Sequence, residues 1–292
     1  MSSAALPRQP ADDGVLRYAE MQRAYYDGAA QKNPESWVVG HYDFHENLPY
    51  ETNLLFLYGD LRRPIFPDFG ERAAFDIACG EGRMVRRMRN IFRKADGADI
   101  SQPMIDLAED RTPGSDFWVT DGVSCGAAPS GFYDFAYCTI SMQHICVFDT
   151  RDLILKDICR ILKPEGKVTL QYAYSRNYPA LPITGVQEAA PGVATQVFRM
   201  DRQHARWFDN RTDAQSTNGG CDVVIGPDDL PAVHAYFSQY FETVDFWFHD
   251  ISIGRGGLGR QRLLPATHPN SHISDDCHLT HFVFIHLTGK KI

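Results

Sequence analysis

The stretch FDIACGEGRMVRRM, Phe75 to Met88, restricts the fold more than any other part of the chain. An apolar run of strand character enters a turn with two glycines and leaves as a basic segment with helical spacing. Strand, glycine turn and helix in that order form a cradle for a nucleotide-type ligand, because glycine lets the backbone approach it closely. Phosphate ligands match poorly. A dinucleotide site wants G-x-G-x-x-G, but the residues here are Gly80, Gly82 and then Val85, so the third glycine is missing. The phosphate-loop pattern G-x-x-x-x-G-K-[ST] has no counterpart in the chain. What the turn does have is Asp76, four residues ahead of Gly80. A carboxylate at a strand end suits a ligand with a positive ammonium group better than one with a pyrophosphate.

From that turn onward, strands and helices alternate. AAFDIA, ADGADI, DFWVTDG, YDFAYCTISM and KVTLQYAY read as strands. Between them, RMVRRMRNIF, SQPMIDLAEDR and DTRDLILKDICRIL read as helices, the second with Ser101 as N-cap and Pro103 in its first turn. GPDDLPAVHAYFSQYF reads as a further helix, followed by strands ETVDFWFHDI and LTHFVFIHL. This order predicts a parallel sheet with helices on both faces. The last two strands have no helix between them, so they are expected to pair antiparallel at one edge. Residues 1–14 read as a disordered leader and 15–70 as an N-terminal helical lid. Residues 71–292 form the main domain, interrupted by irregular insertions at about 175–222 and 253–277, a length typical of lids or binding loops.

Within this frame the chain resembles the class I S-adenosylmethionine-dependent methyltransferases, from about Ala73 to Tyr172. DIACGEGR resembles the family's first motif, whose turn contacts the amino-acid end of the cofactor. GADIS puts Asp99 where the family's acidic residue takes both ribose hydroxyls, and VTDG puts Asp121 where an acidic residue meets the adenine amino group. YDFAYCTISMQHI resembles the strand that runs under the transferred methyl. ILKPEGKVTL resembles the turn before the fifth strand, with Glu165 replacing one glycine. Ala78 stands where many members carry glycine. The resemblance implies a Rossmann-like, seven-stranded, mostly parallel α/β sheet with an antiparallel edge strand. It implies S-adenosylmethionine as cofactor, held by Asp76, Gly80, Gly82, Asp99 and Asp121. Further contacts are expected from Tyr26, Ala78, Arg83, Ile100, Met104, Gly122 and Ser141.

The methyl acceptor is less legible. Enzymes that methylate base amines carry an Asn/Asp-Pro-Pro-aromatic loop after the fourth strand, and TISMQHI has no prolines there. A net charge of −8 also argues against nucleic acid as partner. No apolar run reaches the length of a bilayer span, so no membrane partner is expected. A small-molecule acceptor is the expectation, with a hydroxylated sugar or natural product favoured. His144 and then His204 are candidate general bases. Packing against the cofactor is the alternative for His144. A base-free N-methyltransferase, or a non-catalytic interaction protein on the same fold, remains open.

VFRMDRQHARWFDNRTD offers Arg199, Arg202, His204, Arg206, Trp207 and Asp209 as an acceptor pocket, or else a dimerisation surface. His41, His45 and Glu46, and the later run His268, His272, Asp275, Asp276, His278 and His281, are read as polar loops, so no metal is expected. The basic run Arg83, Arg86, Arg87, Arg89, Arg93 and Lys94 reads as a solvated helix face. Seven cysteines without a C-x-x-C pair read as free thiols of a cytoplasmic protein.

Overall fold

A computed structural model of the chain describes residues 12–32, 57, 64–174, 203–213, 221–254, 257–265 and 281–291. Most of the leader, His41, His45, Glu46, Arg199, Arg202 and the run from His268 to His278 lie outside the described residues. A long first helix, α1 (Asp13–Lys32), precedes the sheet. The alternating region follows as β1 (Ala73–Ile77), α2 (Arg83–Met88), β2 (Lys94–Asp99), α3 (Gln102–Arg111), β3 (Phe117–Val119), β4 (Tyr133–Cys138), α4 (Phe148–Ile161) and β5 (Leu162–Tyr174). Then come β6 (Gln203–Ala205), β7 (Cys221–Ile225), α5 (Leu230–Phe237), β8 (Phe241–Gly254), β9 (Gly257–Pro265) and β10 (His281–Lys290).

The strands are ordered β3-β2-β1-β4-β5-β10-β8-β9, with β1 to β5 parallel. β1 and β4 are buried at every position, which is why they read as unbroken runs instead of alternating patterns. Alternate residues still go to opposite faces. Phe75 and Ala136 pack with Ile158 and Ile161 of α4, whereas Ala74 and Phe135 pack with Val85, Met88 and Phe92. Ser101 caps α3 as expected, its hydroxyl accepting from the Met104 amide at 3.4 Å. The strand order reverses between β1 and β4, and a ligand crevice opens beyond the carboxyl ends of the strands at such a point.

Three features differ from the sequence reading. The last two expected strands, β8 and β10, do pair antiparallel, but β10 is interior, lying between β5 and β8 and antiparallel to both. Val283, Phe284, Ile285 and Leu287 are fully buried there, and an apolar strand gains more between two neighbours than at an open edge. Within the second insertion, residues 257–265 form β9, a hairpin partner of β8 with Gly254 opposite Gly257. The glycines of GRGGLGRQ hide the strand signal. From the first insertion come β6 and β7. They pair parallel with each other, and β7 runs parallel to the end of β5, with Ala173 opposite Val224.

Helix α1 is fastened across the carboxyl ends of the strands. Tyr18, almost fully buried, donates to the His144 carbonyl at 3.3 Å and accepts from the Cys146 amide at 2.9 Å. Gln22 donates to the Tyr18 hydroxyl at 2.9 Å and to the His144 carbonyl at 3.2 Å. Arg23 donates to the carbonyls of Ile100 (3.3 Å) and Thr120 (3.0 Å). Gly122 allows this approach, because a Cβ there would sit 2.8 Å from the Ala19 Cβ and 2.7 Å from Ile100. Burial pushes the Tyr18 phenol up, so it stays a neutral donor and acceptor.

Tyr18→Phe leaves the buried Cys146 amide without its acceptor, a loss of about 1–3 kcal/mol. The expected result is a lower urea midpoint and faster exchange of the Cys146 amide hydrogen. An unchanged midpoint would mean that α1 is held mainly by its apolar contacts.

Candidate active site

The crevice is built by the turns after β1, β2, β3 and β4. After β1, Ala78 and Gly80 both adopt left-handed backbone, with φ of 58° and 53°. A Cβ at Gly80 would meet nothing within 4 Å, so this glycine faces open space. Gly82 (φ 77°) has a different task. A side chain there would press within 3.2–3.3 Å of Ala108, Thr112 and Phe117, so Gly82 lets α2 pack on α3 and β3. Glu81 turns away from the crevice and is almost fully buried. Arg86 grips it through both of its oxygens at 2.9 Å, and Arg111 adds a contact at 3.0 Å. The basic run is therefore only partly a solvated face, since Arg86 locks the turn and Arg83 is half-buried near Glu81 and Asp76.

Two buried carboxylates define the electrostatics. Asp76 lies opposite Tyr137 in the sheet register, and burial, reinforced by Asp99, raises its pKa well above the usual carboxylate range. Arg83 and the Tyr137 hydroxyl pull the other way without overcoming burial. Asp99, at the end of β2, accepts from the Gly80 amide (2.9 Å) and the Ser101 amide (3.0 Å), joining the first two turns. Burial raises its pKa as well. An open glycine turn flanked by two buried carboxylates, with Arg83 near only one of them, fits a ligand carrying an ammonium group.

The other cofactor candidates gather around this centre. The Ile100 carbonyl is held by Arg23, and Met104 packs with Ala30 of α1. Ser141 reaches back to the Ala78 carbonyl at 3.5 Å. Asp121 is exposed, and its Oδ1 accepts from the Val123 amide (3.1 Å) and the Ser124 hydroxyl (2.6 Å), so it orders its own loop. Tyr26 is half-buried and stacks edge-on against Tyr25 with ring centroids 5.2 Å apart.

The turn after β4 is strained. Ile140 has φ 70° and ψ −46°, and the Ser141 amide donates to the Thr139 carbonyl at 2.8 Å, closing a γ-turn of the rare, strained hand. A β-branched residue in that region costs about 1–3 kcal/mol and persists only where its surroundings impose it. Here the Ile140 amide is held by the Gln171 side chain at 3.2 Å. The turn delivers His144, whose Nδ1 lies 2.7 Å from Asp222 Oδ1 on β7. This contact is close but off the line of a good hydrogen bond. His204 lies opposite Asp222 in the β6–β7 register, and burial pulls its pKa down while Asp222 pulls it up. Both histidine candidates thus converge on one carboxylate, which the sequence reading passed over because Asp222 lies in an insertion with no motif around it.

The other described members of the expected acceptor cluster, Arg206, Trp207 and Asp209, are engaged elsewhere. Trp207 is buried in the core, where the Arg151 guanidinium lies 5.2 Å over its ring and donates to its carbonyl. Asp209 accepts from the Arg206 amide at 2.8 Å, and Arg206 reaches Asp229 at 3.5 Å, so both organise a local turn. Among the described residues no three metal-ligating side chains converge, and the six described cysteines are all buried. Also among the described residues, no helix is long and apolar enough to cross a membrane.

Known proteins bear on this arrangement in three ways. Residues 75–170, which span β1 to β5 and all four crevice turns, match the family model described as a methyltransferase domain. The chain shares its fold with phosphoethanolamine N-methyltransferase 1 of Haemonchus contortus, solved with phosphoethanolamine and S-adenosylhomocysteine. That likeness has 12% identity over 93% of this chain and 49% of that one, with a TM-score of 0.53, so the chain spans about half of that protein's length. The DhpI–S-adenosylhomocysteine complex is similar over 97% of this chain and 100% of that one, at 12% identity and a TM-score of 0.49. A methyltransferase from Mesorhizobium loti is similar over 37% of this chain and 50% of that one, at 22% identity and a TM-score of 0.33. No curated protein matches the chain. Residues 75–170 thus match a methyltransferase domain, and the sheet around them has the fold of the Haemonchus contortus enzyme.

The left-handed backbone at Ala78 gives a test of the turn. Ala78→Gly removes a penalty of about 1–2 kcal/mol and adds unfolded-state freedom of about 0.4–1 kcal/mol. A net gain of about 0.5–1 kcal/mol is expected in urea unfolding at unchanged slope. A loss of stability would show that Ala78 is not strained.

Proposed function

We propose that the enzyme transfers the methyl group to a hydroxyl of a small molecule, such as a sugar or natural-product scaffold, with His144 as general base positioned by Asp222. The observation that carries this reading is the 2.7 Å approach of His144 Nδ1 to Asp222 at the end of the strained turn after β4. The cofactor supplies an activated methyl on a sulfonium, so transfer is an in-line displacement for which the protein must align a nucleophile.

A carboxylate at Nδ1 favours the tautomer with its proton there and leaves Nε2 as the acceptor. Gln143 Nε2, 3.5 Å from that nitrogen, suits the same assignment, which rests on partners and not on visible hydrogens. Proton transfer from the hydroxyl to Nε2 then raises positive charge on the ring, and Asp222 stabilises it. His204, whose pKa burial pulls down, is the second base candidate and lies opposite the same Asp222 in the β6–β7 register. At the donor end, Asp76 would face the cofactor's ammonium group and Asp99 its ribose, with Gly80 allowing close approach. Tyr26, Ala78, Arg83, Ile100, Met104, Asp121, Gly122 and Ser141 would complete the cofactor site, and Gly82 would hold the turn from behind.

Two measurements test this reading. Asp76 has a raised pKa before the ligand arrives, and a bound cation lowers it. At a pH between the two values, binding of S-adenosylhomocysteine should release protons in calorimetry, with affinity rising with pH through that window and levelling above it. Failure to bind either form of the cofactor would remove the reading altogether.

For the chemical step, release of demethylated cofactor is followed over a panel of hydroxylated acceptors. His144→Ala should lower kcat by about 10²- to 10⁴-fold and abolish the acid limb of the pH profile. Asp222→Asn should lower kcat less and shift that limb, with cofactor affinity kept. Unchanged kcat in His144→Ala would instead indicate transfer to nitrogen by proximity alone.

A further inference from the structure

We propose that Asp27 of α1 is a second carboxylate of the cofactor site, accepting a hydrogen bond from one ribose hydroxyl while Asp99 accepts from the other. The inference rests on the assignment of S-adenosylmethionine as cofactor and adds a residue that neither the fold nor the glycine motif indicates.

The first observation is the saturation of Asp99. A carboxylate has about four acceptor positions. Two are used by the Gly80 amide at 2.9 Å and the Ser101 amide at 3.0 Å. The Ile100 amide also points at this carboxylate. Three backbone donors leave room for about one more. A ribose brings two hydroxyls to this end of the crevice, so one of them needs another acceptor.

The second observation is where α1 places Asp27. Its neighbours on the same stripe are pinned to the ends of β2 and β3. Ala19 abuts Gly122, Arg23 binds the Ile100 and Thr120 carbonyls, and Ala30 packs on Met104. Asp27 falls one turn beyond Arg23 and just under one turn before Ala30, so helical spacing sets it above the stretch from Ile100 to Met104, next to Asp99. Asp99 feels the negative charge of Asp27, in keeping with that position.

The third observation is that Asp27 Oδ1 is buried and has no hydrogen-bond partner. Arg23, the nearest cation along the helix among the described residues, is committed to two backbone carbonyls. A buried, unsatisfied carboxylate oxygen near a second carboxylate is unfavourable for the protein alone. It becomes favourable once a hydroxyl donor lies between them. Among the described residues no protein donor meets Asp27 Oδ1. The arrangement also ties α1 to the cofactor, so that the helix carrying Tyr18 and Gln22 to the His144 carbonyl is itself held by ligand.

The test is calorimetry on the full chain with S-adenosylhomocysteine and its 2′-deoxy and 3′-deoxy analogues, for wild type, Asp27→Ala and Asp27→Asn, with thermal unfolding of each ligand-free protein. Asp27→Ala should weaken S-adenosylhomocysteine binding about tenfold to a hundredfold, the range for a hydrogen bond to a charged group. The difference between wild type and variant should shrink to within about twofold for one deoxy analogue and persist for the other. Ligand-free Tm should be unchanged or higher in Asp27→Asn, since a like-charge contact is removed. Wild-type affinity in both variants overturns the proposal, as does an equal loss across all three ligands. A lowered ligand-free Tm with that equal loss assigns Asp27 to the fold of α1. If wild type itself binds none of the ligands, the cofactor assignment fails, which is a different outcome from a wild type that binds and variants that match it.

Discussion

One carboxylate holds the turns of the crevice together. Asp99 accepts from Gly80 in the first turn and from Ser101 in the second, so the two loops that meet at the crevice share a single buried anion. Charge-assisted hydrogen bonds to backbone amides are short and directional, and in a dry surrounding they resist rearrangement. The shape of the turn after β1 therefore depends on a residue nearly twenty positions downstream. Burial makes this anion unfavourable by itself, and the same burial makes it respond to any donor or cation that enters.

The rest of the site is braced from two sides. From above, α1 lays a polar stripe on exposed carbonyls: Tyr18 and Gln22 on His144, Arg23 on Ile100 and Thr120. From below, the buried Arg151 donates to the carbonyls of Ile145 and Trp207 and lies over the rings of Phe148 and Trp207. It has no carboxylate partner among the described residues, and burial lowers its pKa. The turn after β4 is thereby fixed by a helix on one side and a guanidinium on the other. That bracing is what allows Ile140 to remain in a strained γ-turn and His144 to be held near Asp222.

Strain and openness occur together at the point where the strand order reverses. Ala78 follows β1 and Ile140 follows β4, the two strands on either side of that point, and both have positive φ. Each chain must turn away sharply for a crevice to open between them. Elsewhere in the sheet the order is maintained by plain apolar packing, as in β10, where burial alone accounts for an interior position.

The parallel sheet, its helices and the glycine turn at the crevice were legible in the sequence because they rest on local signals. Buried strands appear as apolar runs, the N-cap of α3 as a serine before a proline, and the turn after β1 as Asp76, Gly80 and Gly82 in close order. The same local signals could not separate the two glycines, one open to the crevice and one pressed against α3, since that depends on what packs behind them. Nor could they find β9 among glycines or the interior place of β10, which are settled by pairing between distant segments. Asp222, Asp27 and the stripe on α1 are ordinary polar residues in sequence. Their meaning comes from lying opposite His144, Asp99 and exposed carbonyls more than seventy residues away, and only the folded chain brings them there.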